Sequence, residues 1–188
     1  VHVQHNALRK TIEKYQRLPR GKKCQESDYR ETRPSKNAWI LEYAAMIEDL
    51  DTGLGMLLDT VKRLGINDNT YIIFTSDNGG GFRNNEPLRG GKADLWEGGI
   101  RVPMVVRGPN VPSDRYCDVS VAGWDIYPTI HDLIGGGELP KEFDGGSLRD
   151  LFEKGNKGIV KRGTKELIFH FPWYGGALPM SVIRDGDY

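Results

Sequence analysis

The chain has 188 residues, 38% of them hydrophobic, a size that suits one globular domain with a real core. No apolar run approaches the roughly 20 residues that a membrane-spanning helix needs. Lys plus Arg and Asp plus Glu both number 26, so no net field draws the protein to nucleic acid or to an anionic membrane, and any preference for anions has to be local.

Ala7 to Tyr15 carries Leu8, Ile12 and Tyr15 at helical spacing, and Pro19-Arg20-Gly21 ends that helix. Residues 21–36 are charged, contain Pro34 and hold almost no aliphatics, the composition of a solvated loop. Glu26, Asp28 and Glu31 interrupt the positive charge there and argue against a nucleic-acid patch. Ser35 or Asn37 can cap a long helix that runs from about Lys36 to Leu64, with Gly65 as its stop. Ile40, Tyr43, Met46, Ile47, Leu50, Leu54, Leu57, Leu58 and Val61 form one apolar stripe, which predicts a helix packing one face on a sheet. Glu42, Glu48, Asp49, Asp51 and Asp59 lie mostly off the stripe and read as its solvated face. Gly53 and Gly55 weaken an isolated helix, so tertiary packing is expected to hold this one.

Asn67-Asp68-Asn69 makes a turn into Tyr71 to Phe74, a short, uncharged, β-branched and aromatic stretch that suits a strand buried on both faces. At its C-terminal end, where open α/β sheets place ligands, stands Ser76-Asp77-Asn78-Gly79-Gly80. Adjacent Asp77 and Asn78 supply hard oxygen donors without the full repulsion of two carboxylates, a combination suited to Ca²⁺ or Mg²⁺. Lys92, delivered on the glycine hinge Arg89-Gly90-Gly91, is a point charge of the kind that binds a tetrahedral oxyanion.

Val102 to Val106 reads as a second buried strand with Arg107-Gly108-Pro109-Asn110 as its turn. Ser120 to Ile134 predicts a short helix with Pro128 in its first turn, closed by Gly135-Gly136-Gly137. Leu148 to Phe152 predicts another short helix, and Leu167 to Phe171 a third strand. Strands alternating with helices argue for an α/β layer fold with a mainly parallel sheet. Cys24 and Cys117 stand far apart, and their spacing does not decide between a pair and free thiols.

The ordered set Ser76-Asp77-Asn78-Gly79-Gly80, Pro87-Leu88-Arg89-Gly90-Gly91-Lys92 and Trp96-Glu97-Gly98-Gly99-Ile100-Arg101-Val102-Pro103 resembles the sulfatase family of the alkaline phosphatase-like superfamily. The resemblance extends to the long helix with Tyr43-Ala44-Ala45-Met46-Ile47-Glu48 before the set, and to the Asp-Gly turn at Phe143-Asp144-Gly145-Gly146-Ser147-Leu148 after it. It implies an alkaline phosphatase-like α/β fold and an enzyme, a calcium-dependent sulfuric ester hydrolase with a formylglycine nucleophile. It also implies Asp77 and Asn78 as metal ligands to Ca²⁺, with Mg²⁺ as the other hard cation, and Lys92 as the residue that contacts sulfate. His2 stands near the place of a family histidine that acts at the leaving group, although Gln4 replaces the family proline and His5 competes for the role. Arg89 and Arg101 are expected to be structural, with Arg101 locking the loop through Glu97, and Trp96 is expected to pack that loop. His131 is expected on a helix face, and His170, before Phe171-Pro172-Trp173-Tyr174, is a candidate for a substrate pocket.

The family makes its formylglycine from Cys or Ser followed by x-Pro-x-Arg. Cys24 is followed by Gln25-Glu26-Ser27 and Cys117 by Asp118-Val119-Ser120, so neither fits. The whole chain, 1–188, is therefore expected to be the later part of a sulfatase catalytic domain, with the formylglycine segment upstream and a further strand downstream. Substrate would be a sulfated small molecule or a sulfated glycan, with Trp96, Trp173 and Tyr174 offering faces for a sugar or aryl ring. The resemblance implies a periplasmic, extracellular or lysosomal place of action. The alternatives are a phosphoester or phosphonate hydrolase of the same superfamily and a catalytically inactive anion-binding module.

Overall fold

The computed structural model describes residues 7–17, 36–81, 85–172 and 179–186. The chain divides into two compact units, Val1–Asn67 and Asp68–Tyr188.

The first unit pairs α1 (Arg9–Arg17) with α2 (Lys36–Arg63). The latch between them is acidic: Asp49 accepts from the Leu8 amide at 2.7 Å and from the Thr11 hydroxyl at 2.6 Å, and Glu48 accepts from Lys14 Nζ at 2.7 Å. Asp49 thus satisfies a donor at the start of α1 that the helix itself leaves unpaired. Glu48 and Asp49 were expected to form a solvated face; they hold the neighbouring helix instead. Ala45 is fully buried, whereas Tyr43, Ile47, Leu50 and Leu57 remain about half exposed. Gly65 ends α2 at φ +67°, with Gly65 donating to the Lys62 carbonyl and Ile66 to the Val61 carbonyl, the two bonds of a Schellman stop. Gly53 and Gly55 face open space, so close packing is not what places glycine there.

The Thr11 hydroxyl, followed by the Leu8 amide, holds Asp49 below the ordinary carboxylate range, and Lys14 does the same to Glu48. Their stabilisation is present above the unfolded carboxylate pKa and is lost as pH falls through the lower folded values. Asp49→Ala is expected to speed amide hydrogen exchange in the first turn of α1 while leaving the centre of α2 unchanged. Unaltered exchange at Leu8 and Thr11 would show that the latch does not hold α1.

In the second unit, β1 (Ile72–Thr75) pairs with β2 (Met104–Arg107), Ile72 opposite Arg107 and Thr75 opposite Met104. The one-turn α3 (Glu97–Ile100) lies between them in the chain. After β2 come α4 (Ile126–Leu133) and α5 (Arg149–Lys154), then β3 (Leu167–Phe171) paired with β4 (Met180–Arg184). Both pairings are antiparallel, which corrects the expected mainly parallel sheet for the described strands. The reason is local: parallel neighbours need a crossover that returns the chain to its starting end, and the connection from Thr75 to Met104 folds over the strand end instead.

Leu148, Leu151 and Phe152 form the buried core of this unit, with Ile73, Met104 and Val106 packed on them from the sheet, Tyr71 from just before β1 and Leu133 from α4. Burying a side chain such as Leu148 is worth roughly 1.5 to 3 kcal/mol. Period-two alternation turns Phe74 and Val105 outward, 37% and 61% exposed, so β1 is covered on one face and not, as expected, on both. A polar node braces the core. Asp125, fully buried, accepts a bidentate pair from Arg162 and amide bonds from Ala122 at 2.8 Å and Gly146 at 3.0 Å. Thr129 donates to the Asp125 carbonyl at 2.6 Å and accepts from the Leu148 amide at 2.9 Å, which fixes α4 to the start of α5. Trp124 packs on Phe169 at 5.1 Å between ring centroids and ties β3 to the same region.

Candidate metal and anion site

Beyond Thr75 the chain leaves the sheet, and the Thr75 hydroxyl donates to the Pro103 carbonyl at 3.0 Å to set the exit. Ser76 donates through its hydroxyl to the Asn78 carbonyl at 3.0 Å, curling the backbone so that Asp77 and Asn78 lie together at the strand end. Asp77 is exposed and Asn78 half-buried. The donor chemistry fits a hard cation: one carboxylate and one amide oxygen, with no soft ligand beside them. No cluster of three or more His, Cys, Asp or Glu residues able to hold a metal occurs among the described residues.

Three glycine contacts bring the second segment to the first. The Gly79 amide donates to the Gly99 carbonyl at 2.8 Å, and a Cβ on Gly79 would collide with the Gly98 carbonyl. Gly98 in turn donates to the Arg89 carbonyl at 2.7 Å and has the Arg89 and Gly90 carbonyls where its Cβ would be. Asn85 bridges the layers by donating to Gly80 and Gly90 carbonyls at 3.1 and 3.0 Å.

Lys92 sits in the turn Gly91-Lys92-Ala93-Asp94, closed by the Asp94 amide on the Gly91 carbonyl at 2.9 Å and by the Asp94 carboxylate on the Gly91 amide at 3.0 Å. Ala93 takes φ +75°, a left-handed conformation that a residue with a Cβ rarely holds, at the turn position that type II geometry assigns to positive φ. The Lys92 amide donates to the Gly80 carbonyl at 3.0 Å, so the lysine is fastened two residues beyond Asn78, and its side chain is exposed. The structure thus brings Asp77, Asn78 and Lys92 into one loop assembly, whereas His2 lies outside the described residues, as do His5, Cys24, Trp173 and Tyr174.

The flanking arginines are structural, as expected. Arg89 lies over the Trp96 ring, 3.8 Å from its centroid, and Arg101 reaches Glu97 at 3.4 Å. Glu97 also accepts from Arg184 of β4 at 2.7 Å, a tie that the sequence does not announce because the partners are 87 positions apart. Asn85 and Asp94 were likewise missed; the signal available was an Asn or Asp beside the glycine hinge, the residue types that bond to nearby backbone. His131 lies on α4 and stacks with Tyr127 at 6.3 Å. His170 meets the Ser181 hydroxyl oxygen at 2.7 Å through Nδ1, on the exposed face of its strand pair and opposite the face that carries Arg184.

The Sulfatase family model matches residues 12–136. The chain belongs to the sulfatase family. It is 38% identical over 161 residues to a sulfatase of Formosa agariphila, covering 76% of this chain and 29% of that protein. It is 34% identical over 145 residues to human steryl-sulfatase, covering 69% of this chain and 24% of that protein. The crystal structure of PsFucS1 sulfatase from Pseudoalteromonas sp. superposes with a TM-score of 0.55 at 30% identity, over 70% of this chain and 26% of that one. The chain therefore spans less than a third of the length of these sulfatases. The α/β, alkaline phosphatase-like fold follows from the family, and the antiparallel pairings are how this part of it is built. Among the described residues no helix is long and apolar enough to cross a membrane.

Proposed function

We propose that residues 1–188 are part of one sulfatase catalytic domain and supply the cation-binding and sulfate-binding segment of a sulfuric ester hydrolase. The observation that carries this reading is the hydrogen bond from the Lys92 amide to Gly80, which fastens an exposed ammonium group to the loop bearing Asp77 and Asn78. Asp77 and Asn78 would hold Ca²⁺, or Mg²⁺ in its place; when bound, the dication polarises sulfate oxygens and a formylglycine supplies the nucleophile. Lys92 would donate to a sulfate oxygen and offset the negative charge that grows there in the transition state. His2 would protonate the departing oxygen, a task suited to a group with an ordinary pKa near 6.5. The family match favours sulfate over phosphate as the tetrahedral anion, and a sulfated small molecule or glycan as substrate. A periplasmic, extracellular or lysosomal place of action goes with that reading.

Calorimetric titration tests the metal assignment. Two protein oxygen donors attract a hard cation weakly, so the 188-residue chain is expected to bind Ca²⁺ with low affinity and Asp77→Ala to abolish the binding. Tight, site-specific binding that survives Asp77→Ala would remove the pair from the metal centre.

A further inference from the structure

A second concave surface lies in the unit Asp68–Tyr188 and shares no residue with the loops at positions 76–101. It is a cleft of about 530 Å³ between the C-terminal half of α4, the loop that follows it and the segment Lys161 to Gly163. That volume is in the range of small-molecule sites. Its wall combines three chemistries. Lys141 and Lys161 are exposed, and neither forms an ion pair within 4 Å among the described residues, whereas the acidic wall residue Asp132 is already engaged by the Ser147 hydroxyl at 2.6 Å and by Arg149 at 3.4 Å. The Arg162 guanidinium at the base is paired with Asp125, so Lys141 and Lys161 are the cations that the cleft wall offers a ligand, with Lys161 also within electrostatic reach of Asp150. Glu138, Glu142 and Asp144 alternate with the wall residues along the loop and do not line the cleft. The aromatic part is Phe143, 39% exposed and stacked on Tyr127 at 5.4 Å and 10° between planes, with the Tyr127 ring continuing to His131. Rings locked by stacking are pre-ordered, so a ligand that lies on them does not have to immobilise them.

We propose that this cleft is an accessory binding site for an anionic saccharide, with the carbon face of a sugar ring on Phe143 and its sulfate or carboxylate groups on Lys141 and Lys161. Lysines on flexible stems can follow anions at differing positions, while the aromatic ledge needs a ring with a flat carbon face; a free inorganic anion uses only the first and a neutral glycan only the second. The site rests on the function proposed above only for the choice of a sulfated saccharide as probe. It adds a place where such a chain is held without being cleaved.

The experiment is a titration of the chain with a sulfated dextran oligosaccharide, followed by calorimetry and by amide chemical shifts, with a neutral dextran oligosaccharide of equal length and inorganic sulfate as comparisons. Binding is expected to move amides at 131–147 and 161–163, to weaken about tenfold in the double variant Lys141→Gln, Lys161→Gln, and to weaken about two- to tenfold in Phe143→Ala. Added salt should weaken it further. The proposal is overturned by the absence of binding, by affinity unchanged in the double variant, by equal affinity for the neutral oligosaccharide, or by equal affinity for sulfate alone. Shifts confined to 76–101 would also overturn it while supporting the Lys92 site; loss of response at Lys92 with the cleft intact would count against the proposed function alone.

Discussion

In the complete sulfatase, Lys92→Ala is expected to lower kcat/KM by roughly 10² to 10³, a loss of about 3 to 4 kcal/mol in transition-state stabilisation. The reason is the geometry of its turn. The two-way bonding of Gly91 and Asp94, the positive φ of Ala93 and the amide bond to Gly80 fix the lysine backbone, so a lysine that contacts sulfate as proposed would do so without reorganising the loop. Lys92→Arg should rescue only part of the activity, because a planar fork does not fit where a compact ammonium sits. Sulfate release from an aryl sulfate, with folding of each variant verified by circular dichroism, decides the matter. Near-wild-type kcat/KM in folded Lys92→Ala would leave the metal pair as the sole chemical anchor. The 188-residue chain alone is expected to release no sulfate above background, since binding ground state and transition state alike does not accelerate a reaction.

Asp125→Ala is expected to destabilise the second unit by about 3 to 5 kcal/mol, the usual result of stranding one member of a buried ion pair. Arg162 is only 7% exposed at its side chain and would keep its charge, while the amides of Ala122 and Gly146 would lose their acceptor. The double variant Asp125→Leu, Arg162→Met should recover much of the loss, because the desolvation of both charges is removed together. Urea unfolding measures both. A change below about 1 kcal/mol for Asp125→Ala would place the pair in the class of solvent-screened ion pairs and not of core elements.

The parts legible in the sequence are those written in nearby residues. Gly65 marked the end of α2, the apolar run before Ser76 marked β1, Leu167 to Phe171 marked β3, and the glycine spacing marked the loops that bring Asp77, Asn78 and Lys92 into one assembly. Strand direction was not legible, because Ile72 to Thr75 looks the same whether its neighbour runs with it or against it, and only the path of the chain from 76 to 103 decides. Glu48 and Asp49 fell off the apolar stripe, and nothing in α2 indicates that α1 would present Leu8, Thr11 and Lys14 to them. β4 was missed because Ser181 and Arg184 interrupt the apolar character of Met180 to Arg184, and the buried role of Asp125 depends on an arginine 37 positions later.

The crossing of Gly79 with Gly98 and Gly99 bears on how such a site can diversify. A methyl group on Gly79 would meet the Gly98 backbone, and one on Gly98 or Gly99 would meet the backbone between Arg89 and Asp94, so a substitution at any of these three glycines has to displace a neighbouring segment. Asp77, Asn78 and Lys92 are therefore carried on one interlocked loop assembly. Variation in what the enzyme accepts would have to be written at its margin, where Arg89 and Trp96 stack and where side chains can change size without moving the main chain. A laboratory search for altered selectivity would gain more from a library at those two positions than from one in the glycine segments, where most substitutions would cost the fold before they reached the substrate.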